Sequence, residues 1–277
     1  MPGRGRMCYK IISMFVDSHC HLEMEEYDDD RQAVIDRAAR GGVSCMVTVG
    51  TEIRYFGKVL EIIERDARVY GALGTHPHNA KDYSSEIEEK TRGYLRHPRV
   101  IACGEIGLDF YRNLSPAALQ IEAFRRQIAL AVEEGLPVII HSRNAKEKTL
   151  EILRETLKNG PRTVVHCYSY DLATAKKLLD MGMYLSIPGT VTYRNTGLAK
   201  VVRYVPLDRL LSETDAPFLA PASERGRRNE PAFVKHVVRE IALLKGKTAE
   251  ETASVLMETF KAVFLSGDKT GGQGRTG

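Results

Sequence analysis

Long apolar runs are missing from this sequence. A helix that crosses the hydrocarbon core of a membrane needs about 20 consecutive apolar residues, and the apolar segments here are much shorter. The segment 1–13 has basic residues followed by a few apolar ones, but it lacks the full hydrophobic region and the cleavage site of a secretory signal. We therefore expect a cytoplasmic protein with no membrane partner.

Cysteine is sparse, and its spacing does not suggest pairs. The chain has five cysteines, an odd number that does not suit a disulfide framework. None has C-x-x-C spacing, which argues against a zinc site built from thiolates. We expect them to be reduced residues, mostly in the core of a cytoplasmic protein. They are Cys8, Cys20, Cys45, Cys103 and Cys167.

Neither sign of charge is in large excess. The 277 residues have a formal net charge of +4, with 43% hydrophobic and 27% charged residues. This composition is ordinary for a soluble enzyme and does not indicate disorder or a coiled coil. The mild basic balance permits an anionic substrate without requiring nucleic acid. No apolar surface helix predicts a dimer, so we expect no obligate protein partner.

Histidines and carboxylates follow the short apolar runs. The first run, Met14-Phe15-Val16, leads into Asp17-Ser18-His19-Cys20-His21. Residues two apart on a strand point to the same side, so His19 and His21 form half of a candidate metal site. Four further runs end at Glu105, His141, His166 and Asp215, and a fifth is followed by His76 and His78. Six of the eight histidines thus lie near strand ends, which favours convergence on one site.

Eight strand-like runs alternate with helical patterns, without a linker or a composition break. This order predicts an α/β protein with a (β/α)₈ TIM barrel, and a doubly wound open sheet is the alternative. The barrel is favoured because it places all strand ends around one mouth, whereas an open sheet would spread them along its edge. The runs lie at about 14–18, 43–49, 69–74, 100–105, 137–141, 162–166, 182–187 and 209–214.

Helices are predicted between and after these strands. We expect one catalytic barrel domain over 14–265, a disordered extension over 1–13 and a flexible, glycine-rich tail over 266–277. The helical patterns lie at 31–40, from 116 to about 134, at 146–158, 172–181 and 198–202, and at about 230–244 and 248–265.

The donor set predicts a hydrolase with two divalent ions. Six protein ligands exceed what one catalytic zinc uses, which is about three plus water. A pair of ions bridged by Glu105 fits better, with a metal-activated water as the nucleophile and Asp215 as the general base. The donors suit Zn²⁺, Mn²⁺, Fe²⁺ or Ni²⁺, and Mg²⁺ could serve in an assay. The first ion would be held by His19, His21 and Asp215, and the second by His141 and His166.

The chemistry alone leaves the substrate open, because such a centre hydrolyses phosphodiesters, amides or lactones. Candidates for substrate binding are His76 and His78, together with Arg112, Arg143 and Arg228 near the mouth. Surface charge unrelated to the substrate is the alternative for each arginine.

Seven strings occur in the order of one family, and the resemblance extends over about residues 14 to 265. They are D-S-H-C-H-L at 17–22, G-T-H-P-H at 74–78, G-E-I-G-L-D-F-Y-R at 104–112, P-V-I-I-H-S-R-N-A at 137–145, H-C-Y-S at 166–169, E-T-D-A-P-F-L-A-P at 213–221 and R-N-E-P at 228–231. The chain in this way resembles the TatD family of metal-dependent deoxyribonucleases.

The resemblance implies a TIM barrel that hydrolyses DNA, often as a 3′ to 5′ exonuclease on single strands. It assigns metal binding to His19, His21, Glu105, His141, His166 and Asp215, and places His76 near the substrate phosphate. Catalytic roles are expected for Asp215, Glu105 and His76. In the R-N-E-P string, Glu230 is expected to order the loop.

One departure concerns the sixth strand end. The family usually has Cys-Phe-Ser-Gly after its histidine, whereas this chain has Cys167-Tyr168-Ser169-Tyr170. Two other functions stay open: an ester or amide hydrolase, such as a deacylase of D-aminoacyl-tRNA, and a barrel that binds metal without catalysis. Glu105 replaces the carboxylated lysine of many related amidohydrolases, which separates the chain from their urease-like and lactonase-like branches.

Overall fold

Eight parallel strands form one sheet in which each strand pairs with the next along the chain. The computed structural model describes residues 15–157 and 160–266. The sheet order is β1 through β8 without crossover, which confirms the predicted barrel and excludes the doubly wound sheet. The strands are β1 Phe15–Cys20, β2 Val43–Gly50, β3 Val69–Leu73, β4 Val100–Asp109, β5 Val138–Arg143, β6 Thr163–Val165, β7 Tyr184–Ile187 and β8 Leu210–Ser212.

The barrel closes where β8 returns to β1. Cys20 and Ala216 form a parallel bridge, and the Ser212 hydroxyl donates to the Val16 carbonyl at 2.8 Å. These contacts nearly close the sheet into a barrel, which reduces the edge that would be open to pairing with another chain. It also brings the segment after β8 beside the histidines at the end of β1.

Nine α-helices are assigned within the described residues. The predicted helical patterns are all present, although Lys158, at the end of one of them, lies outside those residues. Two helices were not singled out from the sequence: α2, which begins without a side-chain cap, and α3, which buries only Thr91 and Leu95. The helices are α1 Arg31–Arg40, α2 Ile53–Arg65, α3 Ser85–Leu95, α4 Ala117–Glu133, α5 Lys146–Thr156, α6 Leu172–Asp180, α7 Leu198–Tyr204, α8 Val234–Lys245 and α9 Ala249–Phe260.

The last helix supplies an apolar plug for the barrel. Phe260, Val263 and Phe264, from α9 and the turn after it, pack in one cluster with inward-facing strand residues. Among those partners, Val16 and Ile101 lie near the beginnings of their strands. The plug therefore covers the end of the barrel opposite the predicted site.

The predicted extension 1–13 lies outside the described residues, as does the predicted tail except for Ser266. Within the described part of the chain, no helix has the length and apolar character needed to cross a membrane. The four cysteines there are free thiols, as predicted.

Candidate metal centre

The carboxyl ends of the strands bring the six predicted metal ligands together. Active sites of this barrel type lie at that end, because the loops after the strands surround one opening. The side chains come from β1 and the residue after it, from β4 and β5, and from the residues after β6 and β8. They are His19, His21, Glu105, His141, His166 and Asp215.

Glu105 lies between two pairs of histidines. Its Oε2 is 3.4 Å from His19 Nε2 and 3.9 Å from His21 Nε2. Its Oε1 is 2.6 Å from His141 Nδ1 and 2.7 Å from His166 Nε2. The two oxygens of one buried carboxylate thus face different histidine pairs.

Asp215 lies on the side of the first pair. Its Oδ1 is 3.4 Å from His21 Nε2 and 3.7 Å from His19 Nε2. The Asp215 side chain is 14% exposed, against 4% for Glu105. Asp215 also belongs to a group with His19 and His166 whose donor atoms lie within 4.8 Å of one another. It is therefore the carboxylate of the centre that solvent reaches.

The hydrogen bonds of His21 leave one nitrogen free for a metal. His21 Nδ1 is 3.1 Å from Glu23 Oε1 and 3.0 Å from the Val49 carbonyl. Because a carboxylate and a carbonyl only accept, the ring proton of neutral His21 resides on Nδ1. His21 Nε2, which lies 3.4 Å from Asp215 Oδ1 and 3.3 Å from His19 Nε2, is then the nitrogen that a metal would bind.

His141 is held in the same way by another carboxylate. Its Nε2 is 3.1 Å from Asp109 Oδ2, while Asp109 Oδ1 accepts the backbone N–H groups of Tyr111 and Arg112 at 3.0 and 2.7 Å. Burial opposes ionisation of Asp109, but these hydrogen bonds and the His141 ring hold its pKa below the usual range. His141 Nδ1 lies 2.6 Å from Glu105 Oε1, and in a neutral ring with its proton on Nε2 it is the nitrogen that a cation would bind.

His76 has the opposite arrangement. Its Nδ1 accepts the backbone N–H of His78 at 3.1 Å, so neutral His76 has its proton on Nε2, 3.4 Å from Glu105 Oε1. Burial is the main reason that the pKa of His76 falls to about 4, and His141 adds to the effect. His76 consequently presents an N–H donor to the centre, unlike His21 and His141.

The two central carboxyls are ionised. Burial would raise the pKa of Glu105, but His166, His76 and the hydrogen bond from His141 hold it well below the usual range. Burial also opposes ionisation of Asp215, whose pKa is lowered by His21 and His166. Carboxylates bind cations in this deprotonated form, so the donor set fits a divalent metal.

Three buried carboxylates behind the histidines were missed by the sequence reasoning. Glu23 contacts His21, Asp109 contacts His141, and Glu213 Oε1 lies 3.6 Å from His166 Nδ1. All three are fully buried. Each lies two or four positions from a predicted ligand, as in His21-x-Glu23, and this alternation was the available signal.

The predicted substrate-binding residues differ in their surroundings. Arg112 and Arg143 are exposed near the ends of β4 and β5, and within the described residues neither has an ion pair assigned. Arg143 stacks on Tyr111, with its guanidinium carbon 4.1 Å from the ring centroid. His78 is tied to Asp109 by a 3.0 Å contact from Nε2. Arg112 and Arg143 are thus open to an anion.

Arg228 is engaged by the protein itself. It contacts Asp30 at 2.8 Å and Glu230 at 3.4 Å, and its guanidinium lies 4.5 Å from the Tyr27 ring centroid. It lines a cavity of about 620 Å³ on the flank of the barrel beside α1. Glu230 also binds Arg37 through both oxygens at 2.8 Å, which is consistent with a role in ordering the loop.

The departure after β6 has a structural consequence. Tyr170, which stands where the family usually has glycine, bonds Ser142 Oγ at 2.9 Å and accepts the Ala145 backbone N–H at 3.2 Å. Cys167, next to His166, has a φ of 44°. The loop after β6 is therefore joined to the loop after β5 by a side chain that glycine cannot supply.

A family model described as TatD related DNase matches residues 16–265. The chain belongs to the TatD family. Among its relatives is an uncharacterized metal-dependent hydrolase, YabD of Bacillus subtilis, which is 42% identical over 91% of this chain and 99% of its own length. The relative named 3′-5′ ssDNA/RNA exonuclease TatD, from Erwinia amylovora, is 36% identical over 90% of this chain and 98% of its own.

Solved structures agree with this membership. The crystal structure of YjjV, a TatD homologue of Escherichia coli K12, superposes with a TM-score of 0.87 at 32% identity, covering 92% of this chain and 100% of that one. The family resemblance inferred from the motifs is thereby confirmed. This TatD protein is a metal-dependent hydrolase with histidine, glutamate and aspartate groups able to hold metal ions.

Proposed function

We propose that this TatD protein is a two-metal 3′ to 5′ exonuclease acting on single-stranded nucleic acid, with DNA as the first substrate to test. The observation on which the two-metal part rests is the position of Glu105, whose oxygens face different histidine pairs. One cation would be held by His19 and His21 with Asp215, the other by His141 and His166, and Glu105 would serve both.

The donor chemistry suits Zn²⁺, Mn²⁺, Fe²⁺ or Ni²⁺, and Mg²⁺ could replace them in an assay. Such ions, when bound, polarise a phosphoryl oxygen and lower the pKa of water towards neutrality. The protein contributes fixed ligands whose far nitrogens are occupied, as in His21 and His141. Fixing the rings in advance raises metal affinity.

The substrate assignment rests on three features. Relatives of 35% and 36% identity bear the name 3′-5′ ssDNA/RNA exonuclease. Arg112 and Arg143 are exposed at the mouth, where they could hold a nucleic-acid backbone. His76 presents an N–H donor beside Glu105, in a position to bond a non-bridging phosphate oxygen.

The hydrolysis then uses two residues of the centre directly. Asp215, ionised and partly exposed, accepts the proton of the attacking water. The new bond joins that water oxygen to phosphorus while the bond between phosphorus and the 3′ oxygen breaks. His76 stabilises the negative charge on the phosphate through its Nε2–H, and the leaving 3′ oxygen takes up a proton from solvent.

The test is the release of mononucleotides from 5′-labelled single-stranded DNA. Metal-stripped protein would be assayed with Mg²⁺, Mn²⁺ or Zn²⁺ restored, beside Glu105→Ala and the control Glu147→Ala, a side chain 84% exposed on α5. Metal-dependent laddering from the 3′ end, absent only in Glu105→Ala, is the expected result. Full activity of Glu105→Ala would overturn the proposed centre.

The ester or amide hydrolase is the alternative outcome of that test. Release of D-amino acids from aminoacyl-tRNA, without release of nucleotides from DNA, would show that the protein is a deacylase and not a nuclease. A metal titration must also show two bound ions in the same protein, because a protein without its ions would be inactive on DNA whatever its natural substrate.

Metal removal separates catalytic ions from structural ones. We expect chelation to abolish turnover while the barrel unfolds cooperatively near its original melting temperature, because the apolar plug and the layer between strands and helices do not involve the ions. A collapse of the melting temperature would instead indicate metal bound mainly for stability.

A further inference from the structure

Large apolar side chains are exposed on two loops at the metal-bearing end of the barrel. Tyr111 and Leu114, after β4, are 64% and 55% exposed, while Phe218 and Leu219, after β8, are 46% and 38% exposed. In a barrel whose strands run in the order β1 to β8, β4 and β8 are on opposite sides. The exposed aromatic residues therefore flank the candidate centre.

Phe218 is fixed relative to Asp215. Its backbone N–H donates to the Asp215 carbonyl at 2.9 Å, and its own carbonyl accepts from the side-chain amide of Asn229. The Phe218 ring lies 6.2 Å, centroid to centroid, from the ring of His21. An aromatic face is thus held beside the first histidine pair although it packs only partly against the protein.

Tyr111 is attached to the other side of the centre in a similar way. Its backbone N–H donates to Asp109 Oδ1 at 3.0 Å, and Asp109 Oδ2 contacts His141. The guanidinium of Arg143 covers part of the Tyr111 ring, and the tyrosine still keeps most of its surface open to solvent. The backbone N–H of each aromatic residue is therefore bonded to an acidic residue at the centre.

We propose that Phe218 and Tyr111 are stacking platforms for the two bases on either side of the scissile phosphate. This inference rests on the proposed function and deepens it. A phosphodiester alone needs cations, which Arg112 and Arg143 provide, and gains nothing from exposed aromatic rings. Bases do gain from them, since every base has a face that can stack on an aromatic ring, and this stacking depends little on sequence.

Rigid attachment matters for this role. A residue whose backbone is held in place before the substrate arrives loses less conformational freedom on binding, and the backbones of Phe218 and Tyr111 are bonded to Asp215 and Asp109. The bases and the phosphate between them would thus be aligned by one connected set of hydrogen bonds. Substrates without bases would lack this alignment.

The experiment compares binding of labelled oligothymidylate with binding of the same strand bearing abasic sites at the terminal, the penultimate or both positions. The full chain would be used with Ca²⁺ in place of the active ion, and the dissociation constant measured by fluorescence anisotropy. The variants are Phe218→Ala and Tyr111→Ala, with Phe218→Tyr and Tyr111→Phe as conservative replacements. Tyr204→Ala is the matched control, because Tyr204 is 51% exposed but lies on α7.

We expect each alanine variant to bind the base-bearing strand about tenfold more weakly than the wild type does. On a strand that lacks the base stacked by the replaced ring, the variant and the wild type should bind equally. The aromatic replacements should restore the binding preference, and Tyr204→Ala should leave it unchanged. Equal affinity of the wild type for abasic and base-bearing strands would overturn the proposal, as would alanine variants with unchanged preference.

Hydrolysis of the same strands, measured with Mn²⁺, tests the proposed function separately. If the alanine variants lost the wild type's preference for base-bearing strands, the platforms would be supported even if no nucleotide were released. Cleavage without a base preference would instead support the nuclease and reject the platforms.

Discussion

The two ends of this barrel are built from the same strands and have opposite chemistry. At the carboxyl ends, histidines and carboxylates are buried together, with Glu105 only 4% exposed. At the other end, Phe260, Val263 and Phe264 fill the interior against aliphatic side chains. One end is rich in charge that is costly to bury without partners, and the other consists of close-packed apolar surface.

The difference shows how stability and chemistry are separated within one sheet. Buried apolar surface stabilises the fold in proportion to its area, so the plug can hold the strands in register without any cation. The polar end can then keep an arrangement of charges suited to metal binding. Substitutions at the two ends should accordingly change different properties.

The largest expected effect is at the polar end. Glu105→Gln keeps the shape of the side chain but removes the charge that faces both histidine pairs, so we expect hydrolysis to fall by at least about a thousandfold, since metal ions contribute several kcal/mol to such reactions. Steady-state rates with saturating Mn²⁺ would measure it. Unchanged cooperative thermal unfolding is the control, and a rate within tenfold of wild type would contradict the bridging role.

The next effect is at the apolar end. Phe260→Ala should lower the free energy of unfolding by about 3–5 kcal/mol, because it leaves a cavity in the plug. Denaturant titration would measure the loss, with Phe260→Leu as a milder control. Activity per folded molecule should remain near the wild-type value. A variant that unfolds normally but loses activity would show that the two ends are not separable.

A smaller effect is expected behind the first histidine pair. Glu23→Gln weakens the hydrogen bond that fixes the His21 ring, and the loss of such a partner typically costs about 10–100-fold in metal affinity. Calorimetric titration with Zn²⁺ would measure it, using the exposed neighbour Glu25→Gln as control. Equal affinities in the two variants would argue against Glu23 as the residue that orients His21.

The smallest effect concerns the start of α9. Thr248 and Glu251 form a capping box, in which each side chain bonds the backbone of the other. Thr248→Ala should cost about 1 kcal/mol of stability, and Thr248→Ser should restore most of it. Thermal unfolding would measure the change. Any loss of hydrolysis larger than the loss of folded protein would conflict with a purely structural role.

The sequence predicted the candidate ligands because each one lies at the end of a short apolar run or within a few residues of it. A residue at the end of a buried parallel strand is placed by local pattern alone, and His141 and His166 illustrate this. The helices α2 and α3 were not singled out from the sequence: α2 has no side-chain cap at its start, and α3, although Ser84 caps its start, buries only two of its residues. Glu23 and Asp109 were missed because the sequence reasoning considered only the ligand-type residue at the end of each apolar run, whereas these carboxylates lie two and four positions beyond a predicted ligand.

The three arginines predicted to bind substrate also could not be distinguished from the sequence alone. Arg112, Arg143 and Arg228 look equivalent in the sequence, since each follows a strand end. In the folded chain Arg143 is open to solvent over Tyr111, whereas Arg228 is held by Asp30 and Glu230. The acidic partner Asp30 is almost two hundred positions away from Arg228, so no local pattern could have distinguished these side chains.

By itself the sequence determined the strand order, the family and the residue types available to bind a metal, because these depend on short-range periodicity and on motifs of a few residues. Only the tertiary structure decided which oxygen of Glu105 faces which histidines, which ring nitrogens are free, and why His76 presents a proton where His21 presents a lone pair. Those properties depend on contacts between neighbouring strands, such as His21 with Val49 and His141 with Asp109, and the pairing of β1 with β2 and of β4 with β5 creates them.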